Sequence, residues 1–251
     1  MFRPCVVIPV YNHPHRIADL VAQIQALGLP VFLIDDGSET QCASLLQRVA
    51  KETAGVTLIT LPRNCGKGTA VVTGLRLAYT EGFSHALQID ADGQHAPADI
   101  PRFIAVAQRY PEAVVSGDRI YSHAPRSRRF ARKLTDFWVC VNTLSREIRD
   151  SMCGFRLYPL AATTCLLAHT EVGARMDFDS DIIVRLFWQG CRVLHVSTPV
   201  IYAAEIPSHF DVVNDNMRIT WMHTRLFFGM LRRLPVLLWQ AITRPPLPSI
   251  R

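Results

Sequence analysis

Apolar residues are distributed along this chain in two distinct ways. Residues 4–10 (PCVVIPV) and 30–34 (PVFLI) are short unbroken apolar runs, as expected of parallel strands buried on both faces and unlike the strict alternation of a half-exposed strand. Between them, Ile17, Leu20, Val21, Ile24 and Leu27 recur at spacings of three and four and are followed by Gly28. That spacing predicts an amphipathic helix with a glycine stop. The strand–helix–strand unit then repeats, with a helix near 40–52, a strand at 56–61, a helix at 67–82 ending in Gly82, and a strand at 85–89 running into Asp90. Beyond Pro101 the pattern gives a helix to about Tyr110, a strand at 113–117, a basic loop, a helix near 130–146, a helix at 180–189 and a strand at 192–196. Strands alternating with helices imply an α/β domain built on a mostly parallel sheet flanked by helices.

In such a sheet, ligands bind beyond the carboxyl ends of the strands. The polar groups there are Tyr11-Asn12, Asp35-Asp36-Gly37-Ser38, Arg63 to Gly68, and Asp90-Ala91-Asp92-Gly93-Gln94, and all of them are expected to line one crevice. Asp90 and Asp92 repel each other unless a cation lies between them, so a hard divalent ion with oxygen ligands is their natural partner, and Gln94 can add a neutral oxygen. A plain turn or helix cap is the competing reading. Asp35 and Asp36 suit ribose hydroxyls, although they too fit a turn. Asn64-Cys65-Gly66-Lys67-Gly68 opens a helix, where free backbone N–H groups and a lysine favour an anion. Neither a Walker A loop nor a G-x-G-x-x-G fingerprint is present.

Composition narrows the class. With 49% hydrophobic and 19% charged residues, disorder is excluded and one full core is affordable. The seven cysteines form no C-x-x-C pair, which argues against a zinc site or a disulfide framework and for a reducing compartment. The first apolar run is too short for a signal-peptide core, so a cytoplasmic protein is expected. The net charge of +6 gathers at Arg126, Arg128, Arg129, Arg132 and Lys133 and again at the C-terminal arginines. Phosphates or a solvated face account for these clusters, and no motif points to nucleic acid.

With Pro9-Val10-Tyr11-Asn12, Asp35 to Ser38, Asn64 to Gly68 and Asp90 to Gln94 in order, the chain resembles the family 2 glycosyltransferases of GT-A fold. The resemblance implies that Pro9, Tyr11, Asn12, Asp35, Asp36, Gly66, Lys67, Asp90, Ala91 and Asp92 hold a nucleotide-diphosphate sugar. It also implies Mg²⁺ or Mn²⁺ on Asp90, Asp92 and Gln94, and sugar transfer with inversion. Further matches at Gly117-Asp118-Arg119, Arg132-Lys133-Leu134, Asp150 to Arg156, Phe178 to Asp181 and Ser208-His209-Phe210 resemble the dolichol-phosphate mannose synthase and polyprenyl-phosphate branch. There, Arg119, Arg132 and Arg156 would bind a lipid-phosphate acceptor, as a guanidinium fork suits. Asp118 and Asp136 depart from that branch, and a carboxylate at 136 repels a phosphate, so a hydroxyl acceptor stays open. An alcohol must lose its proton on attack. Asp179 and Asp181 are the candidate bases, Asp181 preferred, with acids in a helix's first turn as the alternative.

Residues 1–213 are thus expected to form the catalytic domain and 214–251 an amphipathic helical extension. Met217 to Ile242 mixes apolar and aromatic residues with arginines, has no apolar run long enough to span a bilayer, and carries Pro235. Two helices broken near Pro235 and lying at a membrane surface are expected, peripheral on the inner face of the cytoplasmic membrane. Packing on the domain or on a second copy of the chain is the alternative. A nucleotidyltransferase and a catalytically silent membrane-binding module of the same fold are the rival functions.

Overall fold

The computed structural model describes residues 1–120, 126–200 and 211–247, with the side chains of 126–132 and Val212 excepted. The strands are β1 (Pro4–Val10), β2 (Val31–Asp35), β3 (Val56–Thr60), β4 (His85–Gln88), β5 (Val114–Ile120), β6 (Arg156–Pro159) and β7 (Val193–Pro199). They form one sheet in the order β3-β2-β1-β4-β6-β5-β7. All pairings are parallel except those of β6, which runs against both β4 and β5. The helices are α1 (Pro14–Gln25), α2 (Thr40–Glu52), α3 (Lys67–Thr80), α4 (Ile100–Arg109), α5 (Arg126–Thr143), α6 (Leu160–His169), α7 (Phe178–Trp188) and α8 (Val212–Thr243).

The unbroken apolar strands serve two cores at once. Cys5 and Val7 of β1 and Phe32 and Ile34 of β2 join the cluster containing residues of α3, α6, α7 and α8. Val6, Ile8 and Val10 with Val31 and Leu33 join the one containing residues of α1, α2 and α4. Alternate side chains point to opposite faces, so a strand between two helical layers must be apolar throughout. The expected α/β architecture is borne out. In α1 the stripe Ile17, Leu20, Val21 and Ile24 is buried, whereas Leu27 lies past the helix end and is exposed.

Three elements differ from expectation. The antiparallel strand β6 and the helix α6 that follows it had no visible signature: β6 is only four residues long. The C-terminal segment is one helix of 32 residues with Pro235 inside it, rather than two helices broken there. Residues 231–233 and 235 are exposed, so water can reach the carbonyl that Pro235 leaves without an N–H partner, and packing holds the helix together. One face of α8 belongs to the main core through Met222, Leu226, Met230 and Leu237. No helix among the described residues is long and apolar enough to cross a membrane.

Candidate active site

Adjacent parallel strands end side by side, so their following loops converge, and direct bonds join them. Ser38 Oγ accepts the Asn12 N–H at 3.1 Å, and Asn12 Oδ1 accepts the Glu39 N–H at 2.8 Å. Asp36 is buried and spans to the loop before α3, accepting from Cys65 N at 2.7 Å and Gly66 N at 2.9 Å. Burial raises its pKa in spite of those two bonds. Asp35 Oδ1 caps the turn through Ser38 N at 2.9 Å. These bonds join three of the four strand-end segments, and the pairing of Lys67 with Asp90 joins the fourth, so that all four border one crevice. Pro9 and Ala91 are buried at its floor, contributing shape rather than a polar contact. Tyr11 is half-buried at the rim.

The start of α3 was expected to offer free N–H groups to an anion, and the structure corrects this in part. Cys65 and Gly66 are taken by Asp36, and Thr69 N donates to Ala174 O at 3.1 Å. The positive feature there is the Lys67 ammonium, 2.8 Å from Asp90 Oδ2 and 2.8 Å from Asp179 Oδ2. Burial alone would lower the Lys67 pKa, but Asp179 and Asp90 outweigh it and push it up.

Asp90 and Asp92 titrate in opposite directions. Burial works against an ionised Asp90, yet Lys67 and nearby His95 hold its pKa low, with Gln88 also assisting. Burial and the Asp90 charge push Asp92 up. Asp90 Oδ1 is buried without a hydrogen-bond partner, and Asp92 Oδ1 accepts only the Gln94 N–H of its own turn at 2.9 Å. A buried carboxylate oxygen with no hydrogen-bond donor, beside a second carboxylate whose pKa is raised, is a donor set suited to a divalent cation. The residues therefore fit such an ion. No group of three His, Cys, Asp or Glu side chains that could hold a metal is found among the described residues.

Three expected residues are placed otherwise. Asp181 is fully buried two residues past Asp179, with Oδ1 on Arg185 Nε at 2.6 Å and Oδ2 on Gly173 N at 2.9 Å. A helix turns its faces apart over such a spacing, so of the two only Asp179 meets Lys67, whereas Asp181, the preferred base of the sequence reading, is held by the protein's own groups. Arg156 is also fully buried, donating to Asp179 O at 2.7 Å, Ser151 O at 3.1 Å and Tyr158 Oη at 3.3 Å. It is a core brace and not an acceptor contact. Arg119 forms a fork on buried Asp150, at 2.7 and 2.8 Å. The Arg132 side chain and Ser208-His209-Phe210 lie outside the described residues.

Sequence reasoning passed over Gln88, Tyr158 and Gly154. Gln88 Nε2 donates to Asp179 Oδ1 at 3.0 Å, and Tyr158 Oη donates to Gln88 Oε1 at 2.9 Å, which fixes the amide. A Cβ at Gly154 would collide with Asp90 Oδ2 and Lys67 Nζ. The D-S-M-C-G-F-R match offered a signal for that glycine. Gly154→Ala should separate the Lys67–Asp90 pair and weaken metal-dependent donor binding about tenfold, a loss of roughly 1.4 kcal/mol, readable by calorimetric titration; unchanged affinity would show that the cradle has slack.

Residues 5–167 match the sequence profile of Glycosyl transferase family 2. The chain belongs to that family. It is 30% identical over 173 residues to an undecaprenyl-phosphate 4-deoxy-4-formamido-L-arabinose transferase of Pseudomonas fluorescens, covering 66% of this chain and 50% of that one. A Methanocaldococcus jannaschii protein described as uncharacterized is 27% identical over 210 residues, 81% of this chain and 90% of that one. Among solved structures, glucosyl-3-phosphoglycerate synthase from Mycobacterium tuberculosis, in complex with Mn²⁺, UDP-glucose and phosphoglyceric acid, superimposes with a TM-score of 0.63 at 13% identity. It covers 91% of this chain and 79% of that one, and shows the same fold. The expected membership in family 2, the polyprenyl-phosphate resemblance and the GT-A fold are borne out, and this family 2 chain is a glycosyltransferase.

Proposed function

We propose that this glycosyltransferase moves a sugar, with inversion, from a nucleotide-diphosphate sugar to a lipid or lipid-phosphate acceptor at a membrane surface. Asp90, Asp92 and Gln94 would hold Mg²⁺ or Mn²⁺. The observation that carries the reading is the unpartnered, buried Asp90 Oδ1 beside Asp92 and Lys67, at the carboxyl ends of the sheet. The complex of the M. tuberculosis enzyme with Mn²⁺ and UDP-glucose supports it. When bound, the ion would supply Lewis-acid stabilisation of the departing nucleoside diphosphate.

The chain's own residues have distinct parts. Tyr11, Asn12 and Asp36 form the wall for base and ribose. Lys67 neutralises Asp90 and would meet the donor diphosphate. Asp179, held by Lys67 and Gln88, orients the acceptor and takes its proton if that acceptor is a hydroxyl; a phosphate acceptor needs no base. Arg119 and Arg132 would face an acceptor phosphate, Arg119 sharing its fork with Asp150.

The membrane part rests on an aromatic band that two helices build together. Phe137 and Trp138 of α5 are exposed and continue through Phe227 to exposed Phe228 of α8, with neighbouring ring centroids 5.9–6.4 Å apart. Trp221, Leu231, Trp239 and Ile242 are also exposed along α8, as are Arg232 and Arg233. Aromatic and apolar side chains flanked by arginines suit the interface of an anionic bilayer, which supports the reading of a peripheral place on the inner face of the cytoplasmic membrane.

A thermal-shift panel of UDP-, GDP- and dTDP-sugars with and without Mn²⁺ tests the donor. One donor should raise the midpoint only with metal, because a ligand of the native state alone stabilises it; silence throughout would leave the inert module. Truncating α8 would uncover the core, so point changes serve the membrane test. Arg232→Glu with Arg233→Glu should weaken binding to anionic vesicles by about 1 kcal/mol per residue and spare neutral vesicles, while Trp221→Ala with Phe228→Ala should weaken both. Indifference of the wild type to vesicles, with a dimer in sedimentation, would make the band a subunit contact.

A further inference from the structure

The C-terminal helix also reaches into the domain. From α8, Arg225 places Nη2 3.5 Å from Asp181 Oδ2, the oxygen that also accepts the Gly173 N–H at 2.9 Å. Gly173 begins a short segment lying against the start of α3. Ala174 O accepts Thr69 N at 3.1 Å, and Arg175 Nη1 donates to Asn64 Oδ1 at 2.9 Å. The approach is close enough that a Cβ on Gly68 would collide with the Gly173 carbonyl and with Phe178. One turn further along, α8 is set against α7 by Gly229, where a Cβ would strike the Trp188 ring. An unbroken run of direct contacts thus connects the C-terminal helix with the start of α3, where Lys67 sits.

We propose that Arg225 is a positioning residue: through Asp181 and Gly173 it holds residues 173–175 against 64–69, so that the seating of α8 sets donor affinity. The donor half rests on the reading of 64–68 given above. The physical case is that Asp181 is fully buried between two cations from different helices, Arg185 at 2.6 Å and Arg225 at 3.5 Å. With Arg225 gone, Arg185 still pairs the carboxylate, so the fold survives, but Asp181 is drawn along its own helix and the Gly173 bond on the other oxygen loosens. Contiguity by itself does not demonstrate coupling, so the measurement must read the far end of the run.

The experiment compares full-length wild type, Arg225→Gln and Arg225→Lys by native-state hydrogen exchange and by steady-state kinetics with Mn²⁺ and whichever UDP-, GDP- or dTDP-sugar stabilises the wild type in the thermal-shift panel. In Arg225→Gln the Thr69 and Gly173 amides should exchange roughly tenfold faster than in wild type, since local opening of a hydrogen-bonded segment governs their rate. The donor KM should rise while kcat holds within about twofold, the signature of lost uniform binding. Arg225→Lys should recover most of both. A structural anchor would behave differently: α8 amides alone would accelerate and the active fraction would fall with KM unchanged, which overturns the proposal. Should Arg225→Gln fail to fold, Arg225→Met, which keeps the apolar stem and removes the charge that faces Asp181, decides by the same two readouts. Faster exchange at Thr69 and Gly173 with an unaltered donor KM upholds the contact run and overturns its link to the donor, separating failure of this inference from failure of the donor-loop reading.

Discussion

Asp92→Asn should cost about 3 kcal/mol of transition-state stabilisation, roughly a hundredfold in turnover, while the protein melts no earlier than wild type. The two halves of that result come from one observation. Asp92 has its pKa raised by burial and by Asp90. A carboxyl whose folded pKa lies above its unfolded value favours folding when protonated. That contribution is complete below the unfolded pKa and is lost as pH rises through the folded one, so at neutral pH the ionised Asp92 leaves the fold weaker than an uncharged side chain of its shape would. Asn removes the charge and the penalty together. A divalent ion relieves the same penalty without mutation, so Mn²⁺ with donor should raise the wild-type midpoint and leave that of Asp92→Asn unmoved. The wild-type response should also fade as pH falls through the raised pKa, because protons compete with the ion for the carboxylate. A substantial drop in the metal-free midpoint of Asp92→Asn would mean that its turn, and not cation binding, is what Asp92 serves.

Arg156→Ala should be the most damaging single change in stability, about 3–5 kcal/mol, because it opens a cavity and strands buried acceptors. For a chain of this size each kcal/mol lowers the midpoint by roughly 2–4 °C, so a loss on the order of 10 °C is expected in calorimetry. Arg156 is fully buried and supplies donors to Asp179 O, Ser151 O and Tyr158 Oη. Were it an acceptor ligand, the midpoint would hold and only the acceptor KM would rise. The contrast separates a brace from a contact.

The strand-end motifs were legible because each combines a short apolar run with a polar turn, and the ends of adjacent parallel strands are neighbours in any doubly wound sheet. Tyr11-Asn12, the Asp35 and Asp36 turn, Lys67 and the Asp90–Asp92 pair could be assigned to one crevice on that ground. Arg156 and Asp181 could not be separated from surface charges, since a buried ion has the same letter as a solvated one. Gln88 was hidden inside a strand that reads as apolar, and its partner Tyr158 sits on β6, a strand too short to show a period.

Local chemistry along the chain therefore determined the βα alternation, the doubly covered sheet, the family and the members of the crevice, because each depends on residues close in sequence. Tertiary structure alone decided which acid faces Lys67, that Arg156 braces the core, that β6 runs against its neighbours, and that α8 stays whole through Pro235. Those outcomes depend on what a side chain meets across the fold. Charges 112 positions apart, as in Lys67 and Asp179, meet at 2.8 Å only after packing has removed the water between them, and burial then decides what each can do.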